Sequence, residues 1–178
     1  MAFPYDAAQS SLGAVRRVKA VLETHLAAEL TRRAAMHGLT LPEPVAVVTG
    51  APTAKQLEGN RIPLLMVEGA EVGNDSRDGT ELLRSKQNVH VYVVLSAKAI
   101  EDDDPGELHD ALLAYAEAVG LTVYQHAPDR RTFVKCEPFT VSQQRVSRDS
   151  PTGRRLGQSV GARRVTIRVH TETPERPA

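Results

Sequence analysis

Val165-Thr166-Ile167-Arg168-Val169-His170-Thr171 alternates apolar and polar residues without a fault. A period of two describes a strand with one buried and one wet face. A second extended stretch, residues 132–146, precedes it across a loop, residues 147–161, rich in Ser, Gly and Arg. Two such strands around a loop of that composition predict a long antiparallel C-terminal hairpin. Pro138 interrupts the first arm and implies a bulge or an edge position.

Working outward, residues 88–95 form the strongest internal strand, with Val89, Val91, Val93 and Leu95 on the apolar face. Val45-Ala46-Val47-Val48 and Ile62-Pro63-Leu64-Leu65-Met66-Val67 are shorter candidates, with Pro63 suited to a strand start or an edge. Between the second of these and the strong strand, residues 68–87 have the polar, glycine-bearing composition of a loop.

Two segments carry the helical period. Leu12, Val15, Val18, Leu22, Leu26 and Leu30 recur at spacings of three and four behind Ser10 and Ser11, and Gly38 offers a stop. The resulting helix of roughly 25 residues is twice the usual length of about 11–12. Asp102-Asp103-Asp104-Pro105 opens the second, with Leu108, Leu112, Tyr115 and Val119 as its buried face and Gly120 as its end. Leu121-Thr122-Val123-Tyr124 then reads as a short strand.

The order predicts an α+β fold, with two helices packed on one face of a mostly antiparallel sheet and a long C-terminal β-hairpin. The 178 residues form one domain, with residues 1–9 and 172–178 as extended or flexible termini. Apolar residues at 41% support a single core, which rests on Val, Leu, Ile and Ala because aromatics are only 4%.

Formal net charge is zero, which argues against a whole surface built for nucleic acid, but the charge is unevenly spread. Residues 1–127 hold 11 Lys/Arg against 17 Asp/Glu, a net of −6, and residues 128–178 hold 11 against 5, a net of +6. Such opposition suits head-to-tail contacts between copies, and equally suits two regions folding against each other.

Few residues suggest chemistry. The six histidines (25, 37, 90, 109, 126 and 170) show no zinc-ligand spacing. Cys136, alone in the chain and beside Val134 on a strand face, reads as a small buried hydrophobe rather than a nucleophile. The acids at 101–104 lack the alternation of a calcium loop, and residues 152–157 lack the Gly-Lys-Ser/Thr of a phosphate loop. The expectation is a protein that is not an enzyme and needs no cofactor or metal. A single cysteine, no long apolar run and an N-terminal stretch without a signal-peptide pattern point to assembly in the cytoplasm, with no membrane partner.

The basic set is the candidate contact surface: Arg145, Arg148, Arg154, Arg155, Arg163 and Arg164 lie in or beside the hairpin loop. Guanidinium groups suit carboxylates and phosphates alike, so either a partner protein or DNA backbone fits them, as does a plain solvated loop.

The order of these elements, from the Leu/Val-striped helix through the Pro63 strand and the strand at 89–95 to the final Ser/Thr/Gly/Arg hairpin, resembles the phage tail terminator proteins, also called tail completion or neck proteins. The resemblance runs from about residue 10 to 171 by pattern, without an invariant motif, so it carries over no residue one for one. It implies a homo-oligomeric ring, usually a hexamer, on the end of the tail tube. There the ring would stop tube growth and offer a surface to the head-tail connector protein, with genomic DNA passing through. The chain would then be a virion component of the tail or neck, assembled in the host cytoplasm. Another connector or head-completion protein of the neck is the close alternative, and a small nucleic-acid-binding module using the basic hairpin is the more distant one.

Overall fold

The computed structural model describes residues 11–50, 63–75, 82–96, 100, 105–128, 134–144 and 160–174. In chain order these form α1 (Ser11–His37), β1 (Ala46–Thr49), β2 (Leu64–Asp75), β3 (Leu82–Ser96), α2 (Pro105–His126), β4 (Val134–Cys136), β5 (Thr140–Gln144) and β6 (Val160–Pro174). The strands make one sheet in the order β1-β2-β3-β6-β4, with β5 also on β6. Only the β1–β2 pair is parallel; the others are antiparallel. The architecture is thus α+β, two helices against a mostly antiparallel sheet, and β4 and β5 form the first arm of the C-terminal hairpin with β6 as the second.

The alternation at the C terminus decides the packing. Val165, Ile167 and Val169 are buried, and across the register they face Val91, Val89 and Gln87 of β3. Val89, Val91, Val93 and Leu95 are fully buried with Leu65 and Val67 of β2. On this floor α1 lays Val15, Val18, Leu22, Leu26 and Leu30, and α2 lays Leu108, Leu112, Tyr115, Val119 and Val123, in one continuous core. Leu12, on the same stripe by spacing, is 55% exposed; it lies in the first turn, one turn before the buried part of the stripe begins.

The ends of α1 and β1 follow from backbone chemistry. Gly38 has φ of +66°, and Leu39 N–H donates to Ala34 O at 3.1 Å. This is a left-handed cap closing the last turn, with half-buried Leu39 packed onto the core behind it. Pro63 sits just ahead of β2, where its carbonyl accepts from Val45 N–H at 2.8 Å, so it starts the strand.

Three expectations are corrected. Residues 68–87 are not one loop: β2 runs to Asp75 and β3 begins at Leu82, with Val72–Asp75 paired to Arg84–Gln87. Backbone pairing across a hairpin tolerates the polar composition that suggested a loop. Gly120 does not end α2, and the residues read as a short strand, 121–124, continue the helix to His126. Burial of Val119 and Val123, four apart, on the sheet outweighs the β preference of Thr122 and Val123. At the C terminus β6 continues to Pro174, paired with Leu82.

Gly120 has another purpose. A methyl built there would land in the ring of Phe139, so the glycine lets the segment between β4 and β5 close onto α2. Gly161 does the same under Leu112, where α2 approaches β6.

Both outer arms carry an extra residue. Between Gly69 and Val72 the β2 register slips by one against β3. Between Cys136 and Thr140 the arm advances four residues while β6 moves from Val169 to Thr166, three. The second slip, at Pro138, changes which parity faces the core: Cys136 packs there before it, Phe139 and Val141 after it. The two bulges lie at one level of the sheet, because Val89 faces Ile167 and Gln87 faces Val169. Bulges bend strands and increase twist. Beyond this line β2, β3, β6 and β4 continue as a four-stranded ribbon.

Candidate interaction surface

Of the six arginines singled out in the sequence, Arg145, Arg148, Arg154 and Arg155 lie outside the described residues. The remaining two are neighbours in β6 and so point to opposite faces. Arg163 is on the helix side, only 7% exposed, with Nη2 at 2.9 Å from His109 Nδ1 of α2 and Nη1 donating to Ala162 O at 3.3 Å. Because a guanidinium only donates, Nδ1 is the acceptor of this bond. Arg163 therefore anchors α2 to the sheet from within. Arg164 is on the sheet face opposite the helices, half-buried, with Nε donating to Ser142 Oγ of β5 at 3.3 Å.

The sheet face opposite the helices has an apolar corner and a polar remainder. Leu64, Val94 and Ala162 are buried there beside Ala46, Val48 and Met66. Along β3 and β6 the same face then presents Tyr92 and His90, Arg164, Thr166, Arg168 and His170. Tyr92 and His90 meet edge to face at 6.2 Å between ring centroids. Burial first, and then the charge of Glu68 and a hydrogen bond with it, push the Tyr92 phenol above its ordinary pKa, against the pull of Arg164. Farther along, Glu137 joins two β6 residues: Oε1 lies 2.6 Å from His170 Nε2, and Oε2 accepts from Arg168 Nη1 at 3.1 Å. The hydrogen bond from His170, and then the charge of Arg168, hold its carboxyl below the usual carboxylate range. His90 and His170 lie on the face away from the core, and their neighbours Glu68, Tyr92 and Glu137 were not foreseen. Glu137 was visible only through the bulge beside it, which turns it to the side of Arg168 and His170.

The helix side is held by pairs between antiparallel helices. Arg33 of α1 bridges Glu29 and, at 2.8 Å, Glu117 of α2. Arg17 Nε donates to Ala127 O, a carbonyl at the negative end of α2. His25 and His126 stack at 4.0 Å with ring planes 8° apart. Two shallow grooves flank these contacts. One, of about 490 Å³, runs along Arg16, Arg17, Ala20, Thr24 and His25, and among the described residues no carboxylate lines it. The other, of about 280 Å³, lies between His37 and Leu39 and the α2 residues Asp110, Leu113, Ala114 and Glu117. Among the described residues, neither brings a nucleophile and a base together.

Among the described residues no group of three His, Cys, Asp or Glu is arranged around a common metal position. No helix among them is long and apolar enough to cross a membrane. Cys136 is half-buried, and desolvation pushes its thiol up to about 11, outweighing the opposing charge of Arg17. A thiol two units above its reference of 9.0 holds roughly 100-fold less thiolate near neutral pH. Because the thiolate of a less acidic thiol is also more nucleophilic, the folded protein is expected to react with a thiol-specific disulfide reagent about 10-fold more slowly than the urea-unfolded chain. Equal rates would contradict the buried placement.

Tyr115 gives a second test. It is fully buried, and among the described residues its hydroxyl has no hydrogen-bond partner. Desolvation, and then the charge of Glu43, raise its pKa well above the ordinary phenol value. The stability that the neutral phenol contributes is complete below pH 10 and declines as pH rises beyond it. Tyr115→Phe is expected to leave stability at pH 7 unchanged or raise it by up to about 1 kcal/mol. It should also shallow the decline above pH 10. Urea titrations at pH 7 and above pH 10 read both effects, and a loss above about 1 kcal/mol at pH 7 would mean the hydroxyl is bonded in solution.

Compared with models of known protein families and with curated protein sequences, the chain matches none.

Proposed function

We propose that the chain is a structural virion protein of the phage tail terminator kind, forming a ring on the end of the tail tube and offering a surface to the head-tail connector. The reading rests on the order of elements along the chain. The observation that carries it furthest is the ribbon: strands of 15 residues, β3 and β6, continue past the two bulges with β2 and β4 beside them. Long, edge-bearing strands suit a protein whose work is contact, because unpaired backbone groups add strands from a neighbour. Capping of this kind is geometric: one ring face matches the tube, and the other does not repeat the tube's surface. The activity would need no reacting group.

The sheet face opposite the helices favours protein over nucleic acid as its neighbour. Arg168 and His170 are paired to Glu137, and Arg164 lies with Tyr92 close to Glu68. Carboxylates placed among the cations lower the attraction for phosphate that a DNA-binding face requires. Removal of the chain from the virus that encodes it tests the proposal. Electron microscopy should then show tails of uncontrolled length or tails unattached to heads. Tails of normal length joined to heads would refute it.

A further inference from the structure

We infer that neighbouring copies of this chain join by pairing the outer edge of β2 with the outer edge of β4, so that one antiparallel sheet crosses the contact. The inference deepens the ring reading above and rests on its self-association, not on the tail. Register establishes the geometry. Residues 72–75 of β2 lie against residues 84–87 of β3. Residues 84–87 lie against 169–172 of β6, and 169–171 lie against Val134–Cys136 of β4. At this level the ribbon is therefore β2-β3-β6-β4, with β2 and β4 as its two sides. Among the described residues β1 pairs with β2 only as far as Val67, and no strand pairs with β2 beyond it or with the outer side of β4.

The strand directions fit as well. Each neighbouring pair in the ribbon is antiparallel, so β4 runs opposite to β2. A copy set beside the first with its strands pointing the same way brings its β4 antiparallel to the first copy's β2. Charge selects that partner. Residues 68–75 of β2 contain Glu68, Glu71 and Asp75 and no Lys or Arg. β4 carries Lys135, and Arg130 and Arg131 stand just before it in the sequence. Two β2 edges would set acid against acid, whereas β2 with β4 sets acid against base. The contact uses a different surface on each copy, as closed rings require. It also places the acidic and basic parts of the chain on opposite sides of one interface.

Sedimentation of the purified full chain over a concentration series tests this. The wild type is expected to associate reversibly. Glu71→Lys with Asp75→Lys should weaken the association by about tenfold, and so should Lys135→Glu. The triple variant exchanges the signs at these three positions, with Glu68, Arg130 and Arg131 unchanged, and should recover part of the association. Gly73→Pro and Asn74→Pro add a backbone test. Adjacent strand residues direct N–H groups to opposite sides, so one of the two prolines disturbs β3 pairing and lowers the melting temperature. The other should keep the melting temperature and lose association. A wild type that stays monomeric throughout, or association indifferent to both the charge reversals and the outward proline, would overturn the inference. An edge-joined oligomer in a virus whose tails are normal without the chain would instead remove the tail reading and leave the contact standing.

Discussion

Leu26→Ala is expected to lower the stability of the chain by about 3 kcal/mol. Leu26 is 1% exposed and belongs to the main core that α1 shares with α2 and the sheet. Truncation removes its transfer free energy and leaves a cavity in a layer fixed on three sides. In a domain of this length, that loss corresponds to a fall in melting temperature of roughly 6–12 °C. Leu12→Ala is the matched control. The same helical spacing selects both leucines, but Leu12 is exposed and its truncation should cost under about 0.5 kcal/mol. Similar losses at the two positions would mean that α1 does not lie on the sheet as described.

Gly120→Ala should destabilise, against the rule for helices. Alanine in place of an interior helical glycine ordinarily gains about 1 kcal/mol. Here the added methyl meets the Phe139 ring, a rigid group held between α2 and the β4–β5 arm. Overpacking of this kind costs about 1–3 kcal/mol, so the gain is cancelled or reversed. The clash is specific, which makes it testable by coupling: in a Phe139→Ala background the glycine substitution should recover its ordinary helical benefit. Chemical denaturation of the four proteins in that cycle measures the coupling. Gly120→Ala that stabilises the wild-type background by about 1 kcal/mol would contradict the close approach.

These two sites also mark how far the sequence can be read. The period of three and four in α1, and the period of two at Val89–Leu95 and Val165–Val169, each describe one face of one element, and burial follows them closely. Gly120 was misread because a glycine near a helix end has two explanations. Only the position of Phe139, 19 residues later, separates a stop from a contact. The residues between 68 and 87 hid a hairpin because ladder hydrogen bonds leave no mark on side-chain polarity.

The arginines show the same divide more sharply. Carried back two residues, the alternation at Val165 already turns Arg163 inward, and the structure buries it against His109. Reading the arginines as a set, by charge alone, missed this. Arg164, Arg168 and His170 do share the outward parity, but their neighbours come from β2, β3 and the arm at Pro138. Those meetings depend on register and on two bulges, and a single alternating strand specifies neither.

We propose that this chain builds a ring where a tail ends. Electron microscopy of intact virions, with the chain marked by a small electron-dense tag, tests it most directly. The claim predicts label in a single ring at the head-proximal end of the tail tube. Label along the tube, at its far tip, within the capsid shell or absent from purified particles would contradict it.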